Sequence, residues 1–563
     1  MDTTYKITLI AILAIVFLLC KGIYDERQYR RRLYKRLEET WGKPARQEYT
    51  YDIMENIKCY YNSISESNSI DDITCNDLNM DAVYGSINHT KTSIGEEYLY
   101  ALLRRPCTDI SILNERERVI KLISNAGSSE RIKLEAALAG MGKLDKIPVY
   151  QYFEKAGNME SENKWYHICC GLALAVSMLL CFVKPAVFVL VSAIVIIYNV
   201  LSYYKSKAKL DSYIQIFAFI TRAGRQSEEI ANAGIAGLEK YQERLLKCAS
   251  SLKKLNKNSW IISGGGMGGS IADSLMDYIR ILFHIDLIKI CSMADGLQKH
   301  RKELMGIFEI AGYIDSMVSI ASFRAGLDSW CIPELDSTSG KKSINMEFVD
   351  LYHPLIEKPV KNSITTDRGI LITGSNASGK SVFIKTVAVN AIFAQTIHTV
   401  LAKKYSSCFY HVYSSMALRD DIFSSESYYI VEIKSLKRIL DRAAEADIPV
   451  LCFIDEVLRG TNTLERIASS SEILKQIAKL GAMCFAATHD LELAKILAGY
   501  YNNYHFEETV TEDNVIFDYK LRKGSTKTRN AIKLLNMTGY DKSVTLKAEE
   551  AAQYFLENGV WRT

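Results

Sequence analysis

Residues 369–389 read Gly369-Ile-Leu-Ile-Thr-Gly374-Ser-Asn-Ala-Ser-Gly379-Lys380-Ser381-Val382-Phe-Ile-Lys-Thr-Val-Ala-Val389, and this stretch decides the fold of the C-terminal region. It runs from a short apolar strand, through a GxxxxGK[ST] loop, into a helical pattern. That order is the context in which the glycine-rich string acts as a phosphate-binding loop. The glycines let backbone N–H groups close around phosphates, and the helix N-terminus adds positive potential. The reading assigns nucleotide binding to Gly374, Ser375, Asn376, Ala377, Ser378, Gly379, Lys380, Ser381 and the following Val382. Lys380 is expected to reach the β- and γ-phosphates and the Ser381 hydroxyl to ligate Mg²⁺, so ATP and Mg²⁺ are the expected cofactors.

Hydrolysis needs a metal carboxylate and a group that activates water. Residues 450–454 (VLCFI) form an apolar strand that ends in Asp455-Glu456. Open α/β sheets place ligands at the carboxyl edge of their strands. Asp455 is therefore the candidate metal residue beside Ser381, and Glu456 the candidate base. A third strand, residues 483–487 (MCFAA), leads to Thr488-His489-Asp490, which makes His489 a candidate contact for the γ-phosphate or the water. Lys380, Glu456 and His489 are the expected catalytic set.

The rest of the 563 residues is mixed in character, and the length accommodates about three or four domains. A net charge of +4 points to neither a nucleic acid nor a membrane surface as partner. The thirteen cysteines show no CxxC pair or metal-ligand spacing, and several lie in apolar runs. They read as buried free thiols in a reducing compartment.

Two regions are apolar enough to suggest a bilayer. Residues 7–20 are uncharged and are followed by Lys21, Arg27, Arg30, Arg31, Arg32, Lys35 and Arg36. With the positive charge after the run, the pattern predicts an uncleaved anchor with its N-terminus outside. Residues 165–183 and 186–201 form two further apolar runs around Lys184-Pro185. Trp165, Tyr166, Tyr203 and Tyr204 stand where an aromatic belt would sit. The expectation is three spans, a multi-pass cell-membrane protein, and a cytoplasmic ATPase domain.

Residues 21–80 read as polar and poorly periodic, 80–156 as helical, 203–335 as all-helical, and the chain beyond Ser343 as α/β. Residues 264–269 (GGGMGG) lack a following Lys-Ser/Thr and a preceding strand, and read as a hinge or flexible turn.

The order and spacing of Lys380, Asp455 and His489 resemble an ABC-type ATPase. The stretches Thr373–Ser381, Asp455-Glu-Val-Leu-Arg-Gly-Thr-Asn-Thr463 and Ala487-Thr-His489 resemble the MutS family of DNA mismatch-repair ATPases. Tyr352-His-Pro-Leu-Ile356 is similar to the family's element near the nucleotide base, which implies a binding role for His353. Residues 420–432 (DDIFSSESYYIVE) are similar to its signature, and the resemblance implies that Ser427 serves the nucleotide of the opposite subunit of a homodimer. Residues 517–524 resemble the closing strand, and residues 88–95 (NHTKTSIG), 102–106 and Asp109 the start of the family's helical core. The likeness covers about 80–160 and 300–545.

Apolar runs and resemblance together give the expected fold class, α+α/β: membrane anchor and hairpin from the apolar runs, and, as the resemblance implies, an all-helical MutS-core-like lever domain and a C-terminal ABC-type P-loop ATPase domain. Its expected segments are an anchor (1–24), a linker (25–79), a first segment of the helical core (80–163), the transmembrane hairpin (164–204), the lever with the second core segment (205–340), the ATPase (341–545) and a tail (546–563). The family's mismatch-reading domain is expected to be missing. Ser375, Ala377 and Ser378 replace Pro, Met and Gly of the family's loop, and Ser425 and Glu426 replace Gly and Arg of its signature. Lys240, Arg244, Lys247, Lys253, Lys254 and Lys257 form a basic helical stretch. Phosphate contacts from it would give sequence-blind, salt-dependent binding, whereas a solvated face is the plainer reading. The partners left open are DNA, structure-specific or non-specific, and a protein. The function expected is a membrane-tethered ATPase coupled to DNA processing; the alternatives are a nucleotide-switched membrane scaffold or an ABC-like transporter.

Overall fold

The computed structural model describes residues 3–45, 48–64, 69–144, 147–155, 164–256, 271–336, 344–375, 378–416, 428–458, 461–510, 515–525 and 539–561, with Ile532 and Leu535. The hinge expected at 264–269 lies outside them. The helices before the first strand are α1 (Thr3–Thr40), α2 (Tyr51–Ile64), α3 (Asp72–Asp77), α4 (Met80–Ile87), α5 (Ser93–Arg104), α6 (Ile110–Asn125), α7 (Ser128–Met141), α8 (Val149–Lys155), α9 (Lys164–Leu180), α10 (Pro185–Ala231), α11 (Glu239–Asn256), α12 (Ile271–Phe283), α13 (Ile285–Lys299) and α14 (Arg301–Ala325). The chain divides into two compact units. One comprises 1–65, 87–101 and 117–326; the other comprises 66–86, 102–116 and 327–563.

The first unit is all-helical and is organised around α14. This helix buries an unbroken run from Ile314 to Arg324. Residues 88–95 wrap onto it through Asp315, whose carboxylate accepts from the Lys91 N–H (3.0 Å), the Thr92 N–H (2.9 Å) and the Thr92 hydroxyl (2.7 Å). Thr92 Oγ1 accepts in turn from the Gly95 N–H at 2.8 Å, which starts α5. A Cβ on Gly95 would lie 2.2 Å from Asp315 Oδ2, so only glycine fits there. Burial pushes the Asp315 carboxyl up to about 6, against the pull of these donors. Residues 88–95 are thus held by a polar staple between a turn and a core helix.

Helices α9 and α10 pack against each other as a helical hairpin, with α10 running on to Ala231, and Ser192 Oγ donates to Ser177 Oγ across it at 3.1 Å. Its outer surface is apolar and open: Phe182 is 89% exposed, Leu190 65% and Ile194 58%. Its base is polar and closed. His167 Nδ1 lies 3.0 Å from His284 Nδ1, and Asn199 Nδ2 donates to Cys170 O and Leu282 O.

Three spans are not supported. Among the described residues two helices are long and apolar enough to cross a bilayer, Pro185–Ala208 and Arg301–Ala325, and the second is the buried core helix α14. Helix α9 has 17 residues, about 25 Å at 1.5 Å per residue, less than the roughly 30 Å of a hydrocarbon core. Residues 7–20 lie within α1, but the side chains before Phe17 are outside the described residues. The stretch 25–79, read as linker, contains the end of α1 and all of α2 and α3. In α2, Met54, Ile57 and Tyr61 recur at helical spacing and are buried.

The second unit contains two main sheets. Strands β1 (Glu334–Asp336), β2 (Met346–Leu351), β3 (Asn362–Thr366) and β5 (Lys404–Cys408) form one, in the order β1-β5-β2-β3. The other comprises β4 (Ile370–Thr373), β6 (His411–Ser415), β7 (Val450–Asp455), β8 (Met483–Thr488), β9 (Asn502–His505) and β12 (Arg522–Lys523), in the order β12-β9-β4-β8-β7-β6. All its neighbours pair in parallel except β12 with β9. Strands β10 (Glu508–Val510) and β11 (Val515–Phe517) make a separate antiparallel pair. Helices α15 (Lys380–Thr396), α16 (Tyr428–Glu445), α17 (Thr463–Lys479) and α18 (Leu491–Ile496) connect the strands, and α19 (Lys542–Asn558) closes the chain. Strands β4, β7 and β8 are buried at every position, as a parallel sheet covered on both faces requires.

Residues 66–86 belong with this unit through Asp77. Its Oδ2 accepts from Ser414 Oγ (2.6 Å) and the Met416 N–H (3.0 Å), at the end of β6.

Candidate nucleotide site

Strands β4, β8 and β7 are neighbours, so the loop after β4, the turn after β7 and the turn after β8 open along one sheet edge. Gly374 (φ 147°) and Gly379 (φ 102°) supply backbone that side-chain-bearing residues rarely adopt. A Cβ on Gly374 would lie 2.9 Å from Phe506 O. Gly379 is the N-cap of α15, and Lys380 begins the helix.

Lys380 is 5% exposed, and its ammonium donates to Gly374 O at 2.8 Å and Ser375 O at 2.7 Å. The same Nζ lies 3.4 Å from His489 Nε2. That nitrogen is 2.6 Å from Glu456 Oε1, so its proton goes to the carboxylate. Lys380 is consequently an electrostatic neighbour of His489 rather than its donor. The structure thus brings Lys380, Glu456 and His489 together.

Each of the three is held by its own local device. Glu456 sits at φ 57°, with its N–H on Ala487 O at 3.0 Å. His489 lies in a turn closed by the Asp490 N–H on Thr488 Oγ1 (3.0 Å). The Asp490 carboxylate is in turn gripped by Arg466 of α17 at 2.9 and 2.7 Å. Asn462 caps α17 by accepting from the Glu465 N–H.

Asp455, at the end of β7, is 8% exposed, and among the described residues its buried Oδ1 has no hydrogen-bond partner; the same is true of Ser378 Oγ. A buried carboxylate oxygen without a donor is costly unless a cation or water compensates it. Beside a phosphate loop this donor set fits a hydrated Mg²⁺ held by Asp455 and Ser381.

His353 is buried, and its Nδ1 accepts from the Leu355 N–H at 3.2 Å. Burial, aided by Lys385, pushes its imidazole down to about 4, so it is neutral at pH 7 with the proton on Nε2. Val382 is 47% exposed at the start of α15. Asn376, Ala377 and Ser427 lie outside the described residues, as do Arg459 and Gly460. Of the basic stretch, Lys240, Arg244, Lys247 and Lys253 line the exposed face of α11, with Lys253 paired to Glu228 at 2.9 Å. The side chains of Lys254 and Lys257 are outside the described residues.

Sequence reasoning gave no role to four residues of this edge: Glu432, Arg466, Asp490 and Glu508. Glu508 is buried and accepts from Ser375 Oγ at 2.8 Å, a contact made possible by the serine that replaces the family's proline. Glu432 closes the signature-like stretch 420–432, and that position was its one signal in the sequence.

Residues 370–556 match the family MutS domain V. The chain is 29% identical over 291 residues to MutS protein homolog 4 of Homo sapiens, covering 48% of this chain and 30% of that protein. It is 31% identical over 250 residues to the DNA mismatch repair protein MutS of Natronomonas pharaonis, covering 42% and 28%. With the DNA mismatch repair protein MutS of Thermotoga petrophila it shares 28% identity over 277 residues, covering 47% and 34%. The chain thus spans about a third of the length of the curated relatives it matches. Its C-terminal region is similar to domain V of the MutS family.

Proposed function

We propose that this chain is a membrane-tethered ATPase that works as a homodimer and couples hydrolysis to DNA. The observation that carries the enzymatic role is the convergence of Lys380, Glu456 and His489 at the carboxyl edge of three adjacent parallel strands. Bound ATP with Mg²⁺ supplies the labile γ-phosphoryl group and the cation that neutralises it. Lys380 exchanges its two carbonyl partners for phosphate oxygens. Ser381 and Asp455 would hold the cation, and Gly374, Ser375, Ser378 and Gly379 would offer backbone N–H groups to the phosphates. Glu456 accepts a proton from the attacking water at the carboxylate that His489 orients from its Nε2 side. Ser427 of a second copy completes the site, and His353 stands near the base as a neutral imidazole.

The membrane role is supported by the exposed apolar surface of the α9–α10 hairpin, far more than scattered surface residues would leave open. The DNA role is supported by the relatives' description as mismatch repair proteins and by the basic face of α11. The test is the ATPase rate of the purified full chain with and without linear, nicked or branched DNA at several salt concentrations. Stimulation that falls with salt is expected. ATP hydrolysis indifferent to all three DNAs, without salt-dependent binding, would replace DNA by a protein partner on a nucleotide-switched membrane scaffold.

A further inference from the structure

Strand β7 ends in a turn, Asp455-Glu456-Val457-Leu458, that has two residues in the left-handed region: Glu456 at φ 57° and Leu458 at φ 59°. Neither is a glycine, asparagine or aspartate, the types that adopt this region readily. Such backbone persists only where its surroundings over-determine it. Here three elements do so. The Glu456 N–H donates to Ala487 O of β8 at 3.0 Å. Ser470 of α17 donates to Val457 O at 3.3 Å, a long neutral contact. The Leu458 N–H donates to Glu432 Oε1 of α16 at 2.5 Å.

The third contact differs in kind. Glu432 is 8% exposed, so a carboxylate has been taken out of water with its Oε1 on one backbone N–H. Hydrogen bonds to an ionised acceptor are the stronger kind, the more so in a low-dielectric setting. The clamp acts two residues beyond Glu456, on the far side of the turn from the Ala487 contact. Together the two fix where the Glu456 side chain departs from the backbone. The outcome is visible at 2.6 Å, the distance from Glu456 Oε1 to His489 Nε2.

We propose that Glu432 is a positioning residue for hydrolysis, its carboxylate holding the Leu458 N–H and thereby the left-handed turn that aims Glu456 at His489. This rests on the ATPase reading above. Glu432 acts through the Leu458 N–H, and its loss misdirects the base without unmaking the phosphate loop. Nucleotide affinity and turnover are therefore expected to separate.

The experiment uses the full chain with Mg²⁺, measuring single-turnover hydrolysis of ATP and the Kd of a fluorescent non-hydrolysable ATP analogue. E432A is expected to lower the rate about ten-fold or more while Kd stays within about two-fold, as for a lost positioning contact. E432Q keeps an acceptor oxygen at the same reach and is expected to recover to within about three-fold of wild type. Where E432A does not fold, E432D is read in its place, since it keeps the charge but falls a methylene short of Leu458. A wild-type chain that does not hydrolyse ATP overturns the ATPase reading and this clamp with it. An active wild type with an E432A rate within about two-fold overturns the clamp alone, as does a loss of affinity equal to the loss of rate.

Discussion

Single atoms decide most of what this chain can do. Gly95 illustrates the point away from the nucleotide, because the space for its Cβ is already filled by Asp315 Oδ2. Gly95→Ala is expected to destabilise the helical unit by about 1–3 kcal/mol, as forced overpacking does, in urea unfolding followed on that unit. An unchanged midpoint would show that Asp315 can swing away. At the nucleotide loop, Gly379→Ala meets both a positive φ and Tyr519 Cδ1 at 3.0 Å, so ATP affinity is expected to fall by about ten-fold or more in equilibrium titration. Residues such as Lys380, Glu456 and His489 were legible in the sequence because strand, acid and turn follow each other in short strings. Glu432 and Arg466 were not, because their partners Leu458 and Asp490 lie 26 and 24 positions away and only the fold brings them close.

Elements were legible in proportion to how continuous their burial is. Strands β4, β7 and β8 are apolar throughout because both faces are covered, and such runs stand out. Helix α2 was missed because its buried face is only Met54, Ile57 and Tyr61, interleaved with polar residues. The hairpin is the reverse case, apolar runs that the structure leaves outside rather than inside. Leu190 and Ile194 are 65% and 58% exposed, so both side chains lie mostly outside the packed interior. The Leu190→Asp, Ile194→Asp double variant is expected to keep its fold and lose at least about ten-fold in partitioning onto phosphatidylcholine vesicles, since charge in hydrocarbon is costly. Equal partitioning in a flotation assay would separate the hairpin from the bilayer.

At the scale of the whole molecule, the two units are expected to answer pH with opposite sign. In the unit with the nucleotide edge, burial pushes His353 and His411 down to about 4 from 6.5. The unfolded chain therefore binds protons that the folded unit refuses between pH 4 and 6.5, and stability rises with pH across that window. Burial raises Asp77 in the same unit, which opposes this trend. In the helical unit burial raises Asp315 to about 6 from 3.8, and Glu97 and Glu135 are raised as well. The folded unit keeps these protons, so their contribution is present at low pH and lost as pH rises towards 6. His89, lowered to about 4, offsets some of this. Between pH 4.5 and 6.5, intrinsic-rate-corrected hydrogen-exchange protection is expected to rise in β7 and β8 and to fall in α14. A change of the same sign in both would contradict the assignment.

The claim on which the rest depends is that Glu456, two strands from the phosphate loop, acts on water rather than on nucleotide. The direct measurement is single-turnover hydrolysis of γ-labelled ATP by the full chain, wild type against Glu456→Gln, with ATP binding measured in parallel. The account predicts unchanged binding and a rate lower by about a hundred-fold or more, the scale of a lost general base. A Glu456→Gln chain that releases phosphate at the wild-type rate would contradict it.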